Sequence, residues 1–449
     1  MAKKTASGYK HTAPPEELDL RKALHEERHL MQKVEVPMVT VSATYRKELA
    51  DKYQSLVHTA SDVVYSRAHY SMADAIAEAA KLIGKSVHVV DPTNFVGEKD
   101  WGKIEFTHKV GQLMARHKML KDIKDKIDTI ARSKLPITQA ITLPLLYLSG
   151  KTKAPVISLH YEAGNILVEN GRQVLQVITD PHVRPQYLVP LPSELVTYAV
   201  FDEQTKVDFM KLARELGKEV NDEQVVVTGA PVHPQIIKIG RKLKKIPKDG
   251  PVNIAITTGG LGTNLDEIKE VLESFAPLLK PPEKIRLLLY AGTHRDFRNF
   301  FEDYASRHHV RIGNWDEEDS RIRIFHDDSI VDANKNLIRY MFPWAHGIIT
   351  KPSGDMAYDA AVAGCFLLFL EPWGEWEEHI QKRFVANGVG HDLKAGTAIE
   401  RFKSLWSRGK LDKSLKAAHE LPDLFRNGAK NIVGLHAKVL LDKHSHKGS

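Results

Sequence analysis

Four short segments of this 449-residue chain put chemically competent residues directly after apolar runs. The first is Ser66-Arg67-Ala68-His69-Tyr70-Ser71. A histidine there can take a proton from a hydroxyl, because its ordinary pKa of about 6.5 suits a general base near neutral pH. A hydrogen-bonded structural histidine is the competing reading, and with 22 histidines in the chain any single one is a weak signal. The second segment, Thr179-Asp180-Pro181-His182-Val183-Arg184, offers Asp180, expected as a catalytic residue beside His69, and His182 to one cleft, or else forms an Asx turn stiffened by Pro181. The third runs from Thr257 to Asn264. Its Gly259, Gly260 and Gly262 let backbone approach a ligand, and the N–H groups of a following helix favour a phosphate. Thr263 or Asn264 is the expected N-cap, and a plain tight strand-to-helix turn is the alternative.

The fourth segment, Ile348 to Gly390, reads as strand, turn, helix, strand, acidic loop, helix. Lys351, Ser353 and Gly354 follow its first strand, where open α/β sheets place ligands. Lys351 can neutralise a phosphate. Asp359, one turn into the helix, can accept two hydrogen bonds from a ribose diol, or simply partner the helix dipole. The loop Glu371 to Glu378, with Trp373, Trp376 and Glu377, is expected to face the same space.

These residues need a scaffold of parallel strands. Asp62 to Ser66 is expected as a strand, Ser71 to Ile83 as a helix and Ser86 to Asp91 as the next strand, which together make a βαβ unit. Further strands are expected at Ala154–Leu159, Val174–Thr179, Thr197–Phe201 and Gln224–Thr228. The basic stretch Ile239 to Gly250 reads as a linker, after which strands and helices alternate again. The predicted class is α/β, with two Rossmann-like domains whose parallel sheets face an interdomain cleft. The expected divisions are an extension over 1–36, a first domain over 37–238, a linker over 239–250, a second domain over 251–430, and a terminal helix and tail over 431–449. The terminal helix is expected to pack back on the first domain.

Composition sets outer limits. Hydrophobic residues at 42% and charged residues at 27% are ordinary for a globular protein. The single cysteine, Cys365, lies in an apolar run and reads as a buried thiol in a reducing cytoplasm. No apolar run approaches the ~20 residues that span a bilayer. A net charge of +7 favours polyanionic partners. A basic amphipathic helix over Leu120 to Arg132 can lie on an anionic membrane surface, or pack on the protein. There is no GxxxxGK[ST] phosphate loop and no GxSxG elbow. His308-His309 and the tail histidines lack the spacing of a metal site, and no aromatic–basic module points to nucleic acid.

The turns together resemble the GT-B glycosyltransferases of the group that includes the peptidoglycan N-acetylglucosaminyltransferase, plant monogalactosyldiacylglycerol synthase and bacterial diacylglycerol glucosyltransferases. The resemblance covers roughly Asp62 to Gly390. It is carried by the first βαβ unit with His69, by Val227-Thr228-Gly229-Ala230-Pro231-Val232, and by Gly259-Gly260-Leu261-Gly262. It is closest over Ile349 to Gly354, Asp359-Ala360-Ala361, Pro372, Glu377-Glu378 and Asn387-Gly388.

The resemblance implies a nucleotide-sugar donor, usually a UDP-sugar, held by the second domain, with no cofactor and no obligate metal. A lipid or lipid-linked acceptor would approach the first domain, at the inner face of a membrane. It implies His69 as base, the glycine loop and Lys351 at the diphosphate, Asp359 at the ribose and Phe325 beside the nucleobase. Two departures stand out. Arg67-Ala68 replace glycines before the histidine, and Trp376 and Ile380 stand where Gln and Asn usually contact the donor sugar. A nucleotide-sugar epimerase or hydrolase, or a catalytically weakened nucleotide-sugar-binding scaffold, are the alternatives.

Overall fold

The computed structural model describes residues 20–55, 62–97, 100–102, 105, 136–248, 250–260, 262–282, 284–314, 317 and 320–445. The basic helix expected over 120–132 lies outside these residues. Two six-stranded sheets, parallel throughout, form the scaffold.

The first sheet contains β1 (Val36–Val39), β2 (Val87–Val90), β3 (Val156–Ser158), β4 (Val174–Val177), β5 (Val196–Val200) and β6 (Val225–Val227). Their spatial order is β2-β1-β3-β4-β5-β6. The second sheet contains β7 (Val252–Thr257), β8 (Ile285–Gly292), β9 (Ile322–His326), β10 (Gly347–Thr350), β11 (Phe366–Phe369) and β12 (Gly390–Asp392), ordered β12-β11-β10-β7-β8-β9. The short apolar runs bury every residue of β1, β4, β10 and β11, as strands covered by helices on both faces must be.

Three expectations about elements are corrected. The opening strand is Val36–Val39; Asp62 to Ser66 forms only an isolated antiparallel bridge, Val64 to Ala43. The Tyr65 and Ser66 N–H groups both turn to Ser42 O, which takes them out of any parallel ladder. The helix expected from Ser71 begins at Arg67, because the Ser66 side chain caps it by accepting from the His69 N–H. Arg67 and His69 therefore sit on a rigid first turn rather than in a loop. Finally, Asn264 precedes its helix in the left-handed region at φ 62°, and neither it nor Thr263 caps the helix through its side chain.

One hydrophobic core fills the first domain, one fills the outer face of the second, and a third runs through both. In that shared core Tyr358 packs edge-on against Phe201 of the first domain and Phe384 of the second, at 5.3 and 5.0 Å between ring centres. The final helix, Gly428–Ser445, returns to the first domain and packs on the helix Arg67–Leu82. The two sheets are thus held with their carboxyl edges toward each other.

Candidate functional site

Strand order reverses at β1 in the first sheet and at β7 in the second, and ligands of open α/β sheets sit outside the carboxyl ends at such switch points. Both crevices open into one interdomain cavity of about 330 Å³. From the first domain it is lined by Arg67, His69, His160, Thr179, Asp180 and Arg184. From the second come Gly259, Gly260, Thr263, Lys351, Ser353, Gly354, Trp376 and Glu377.

His69 is held in one tautomer. Its Nδ1 lies 3.0 Å from the Val41 carbonyl, which can only accept, so Nδ1 carries the proton. That leaves the Nε2 lone pair facing Thr179 Oγ1 at 3.3 Å. Burial holds the His69 pKa below the ordinary imidazole value. The ring stands edge-on to His160, 5.4 Å between centres. His160 stacks on Tyr161, and burial depresses its pKa further still.

Asp180 lines the cavity with Arg184 at 3.8 Å, and burial pushes its pKa up to about 6. His182 is set beside Trp376 and His379, off the cavity wall.

On the opposite wall Lys351 Nζ donates to Glu377 Oε1 at 2.6 Å, while Glu377 Oε2 accepts the Trp373 N–H at 2.7 Å. Glu377 is fully buried and bridges the Lys351 amine and the Trp373 backbone. Burial alone would lower the Lys351 pKa; the Glu377 carboxylate outweighs it and holds the amine above its ordinary value. Arg184 lies over the Trp376 ring at 5.2 Å. Ile380 is fully buried in the shared core and does not reach the cavity. Thr263 Oγ1 and His160 Nδ1 have no hydrogen-bond partner among the described residues, a condition natural interiors rarely tolerate away from a ligand or water.

Three residues expected at the donor do not line this cavity. Asp359 does not line the cavity: it is buried beneath Arg67, 3.4 Å from that guanidinium. Phe325 stacks on Tyr340, also off the cavity wall. Gly262, at φ +67°, turns the loop by donating its N–H to Gly259 O and is not a lining residue. Conversely, His160, Arg184 and Tyr187 enter the site without having been singled out. The signal for His160 was its place directly after the apolar run that became β3.

Glycine is required where the domains touch. A Cβ on Gly354 would lie 2.6 Å from Asp180 Oδ1 and 2.9 Å from the Thr179 carbonyl. Gly354→Ala is therefore expected to wedge the cleft open with both domains folded. Small-angle scattering should show a larger radius of gyration at unchanged circular dichroism.

A larger hollow of about 640 Å³ lies behind the Trp373 loop, rimmed by Asp266, Glu267, Glu270, Glu371 and Asp392. It contains no histidine, and both Glu267 oxygens are already engaged by Asn264 and Glu371. Among the described residues no group of His, Cys, Asp and Glu could hold a metal ion, and no helix is long and apolar enough to cross a membrane.

Two Rossmann-like domains closing on a cavity at both switch points define a protein of the GT-B fold. Among solved structures the chain is similar to Staphylococcus aureus MnaA in its structure with UDP, at TM-score 0.52 and 13% identity over 91% of this chain and 97% of that one. It is similar also to a candidate UDP-N-acetylglucosamine 2-epimerase from Listeria monocytogenes, at TM-score 0.51 and 12% identity over 89% and 95%. MurG of Acinetobacter baumannii aligns over 89% and 99% at TM-score 0.46 and 13% identity. At these identities the first two likenesses bear on the fold alone. No protein-family profile matches the chain, and no curated protein matches it in sequence.

Proposed function

We propose that this protein is an enzyme that takes a nucleotide sugar, a UDP-sugar in the first instance, and transfers the sugar to a hydroxyl of a lipid or lipid-linked acceptor. The observation that carries the reading is the pairing, across one cavity, of a single-tautomer His69 with the Lys351 and glycine-loop wall.

The acceptor hydroxyl would lie against His69 Nε2. Burial keeps that imidazole neutral at pH 7, so it can take the hydroxyl proton as the new glycosidic bond forms. The departing diphosphate would meet Lys351 and the N–H groups around Gly259 and Gly260, fixed before the reaction begins. Charge neutralisation by Lys351 and the loop amides makes an obligate metal unnecessary in this scheme. The site is read as cytoplasmic and peripheral to a membrane, with anionic lipid as the surface it meets.

One observation favours a second reading, a protein that binds the donor without turning it over: Lys351 and Arg184 of the cavity already face Glu377 and Asp180. One experiment separates the two. Thermal stabilisation is measured with a panel of nucleotide sugars, followed by release of nucleoside diphosphate with and without lipid vesicles. Stabilisation by a UDP-sugar with lipid-dependent UDP release is the expected result. Stabilisation without release selects the binding protein, and no stabilisation by any nucleotide sinks both.

A further inference from the structure

A buried polar contact between the domains is made by a residue that stands out along the chain only for standing where the resemblance has a glycine. Arg67, on the first turn of its helix, reaches across the cleft and forms an ion pair with Asp355 and a second with Asp359, and donates to Asn334 Oδ1 at 3.3 Å. All four side chains are buried, at 7, 8, 5 and 2% exposure. Asn334 Nδ2 in turn donates to Asp74 Oδ2 at 3.2 Å, two turns further along the same helix as Arg67. The two domains are therefore tied twice along one helix.

Arg67 also partitions the cleft. It lines the 330 Å³ cavity on one side and, on the other, a void of about 20 Å³ walled by Thr258, Gly260, Tyr290, Gly292 and His294. That void, at the carboxyl ends of β7 and β8, has room for about one water. The fit is close on the backbone too: a Cβ on Gly260 would come within 3.1 Å of the Arg67 nitrogen.

We propose that Arg67 is an interdomain latch that keeps the crevice at the carboxyl ends of β7 and β8 shut, so that a nucleotide enters it only by displacing the guanidinium from Asp355 and Asp359. The proposal rests on reading the cleft as a nucleotide-sugar site. A buried bridge of one guanidinium and two carboxylates is strongly held, because releasing either side leaves uncompensated charge. The ordinary affinity for nucleotide is then the intrinsic one multiplied by the fraction of molecules with the latch open. The two carboxyls share the hold unequally: burial raises the Asp359 pKa to about 7 even beside Arg67, whereas at Asp355 burial is outweighed, chiefly by Arg67, and the pKa is lowered, so Asp355 carries the larger part of the ion pair.

The test uses the full chain with UDP as probe. Arg67→Ala removes the latch, and Asp355→Asn weakens it from the other domain while leaving Arg67 paired with Asp359, in case the alanine variant does not fold. Hydrogen–deuterium exchange without ligand is expected to rise in both variants over 250–260 and 330–336. UDP is expected to bind about 5- to 150-fold more tightly by calorimetry, the usual range of a coupling between two sites. Unchanged exchange, or weaker UDP binding by both variants, overturns the latch. Faster exchange with no UDP binding to any form keeps the latch and removes the nucleotide reading instead.

Discussion

His69→Ala is expected to reduce sugar transfer by about 10²- to 10⁴-fold, the usual contribution of a positioned general base, while UDP affinity stays within about twofold. The asymmetry follows from position: His69 belongs to the first domain, and the diphosphate is expected on the second. The pH profile carries the same signature. Burial lowers the His69 pKa, so the competent neutral ring persists as pH falls through 6.5, and turnover declines only below that value. Stopped assays across pH 5 to 8 would show it. A variant with full turnover would remove His69 as base and direct attention to His160, its edge-on neighbour.

The second large effect is expected at Lys351. Lys351→Met strands the fully buried Glu377 carboxylate, and unpairing a buried ion pair costs about 3–5 kcal/mol. The melting temperature should fall, and UDP should no longer stabilise the protein. Adding Glu377→Gln should restore most of the stability, because a neutral amide tolerates burial and can still accept the Trp373 N–H. UDP release should stay lost in the double variant, since the cation facing the leaving diphosphate is gone. A double variant that regained turnover would exclude Lys351 from the chemistry; a single variant of unchanged stability would mean that Glu377 does not depend on it.

His69 was legible as a histidine in a turn, although Val63-Val64 before it is no strand of the sheet; Asp180, Gly259 and Lys351 were legible for a common reason. Each follows an apolar run, and in a parallel sheet the residue after the run arrives at the carboxyl edge where a ligand binds. Local chemistry reached no further than that. β1 was missed because Val36-Pro37-Met38-Val39 is short and contains a proline, whereas Val63-Val64 has the better strand composition but spends its neighbours' N–H groups on Ser42. Phe325 and Asp359 do not line the cavity, because their surroundings come from other parts of the chain: Tyr340 stacks on one and Arg67 pairs with the other.

What the sequence determined by itself is therefore the pair of parallel sheets and the short list of polar residues at their carboxyl edges, since both follow from hydrophobic patterning over a few residues. Only the tertiary structure decided which charges meet. Arg67 and Asp359 are 292 residues apart and lie in different domains, so their pairing depends on how two rigid bodies close on each other. Desolvation at that closure makes Arg67, an oddity when read along the chain, the tie between the two halves of the site.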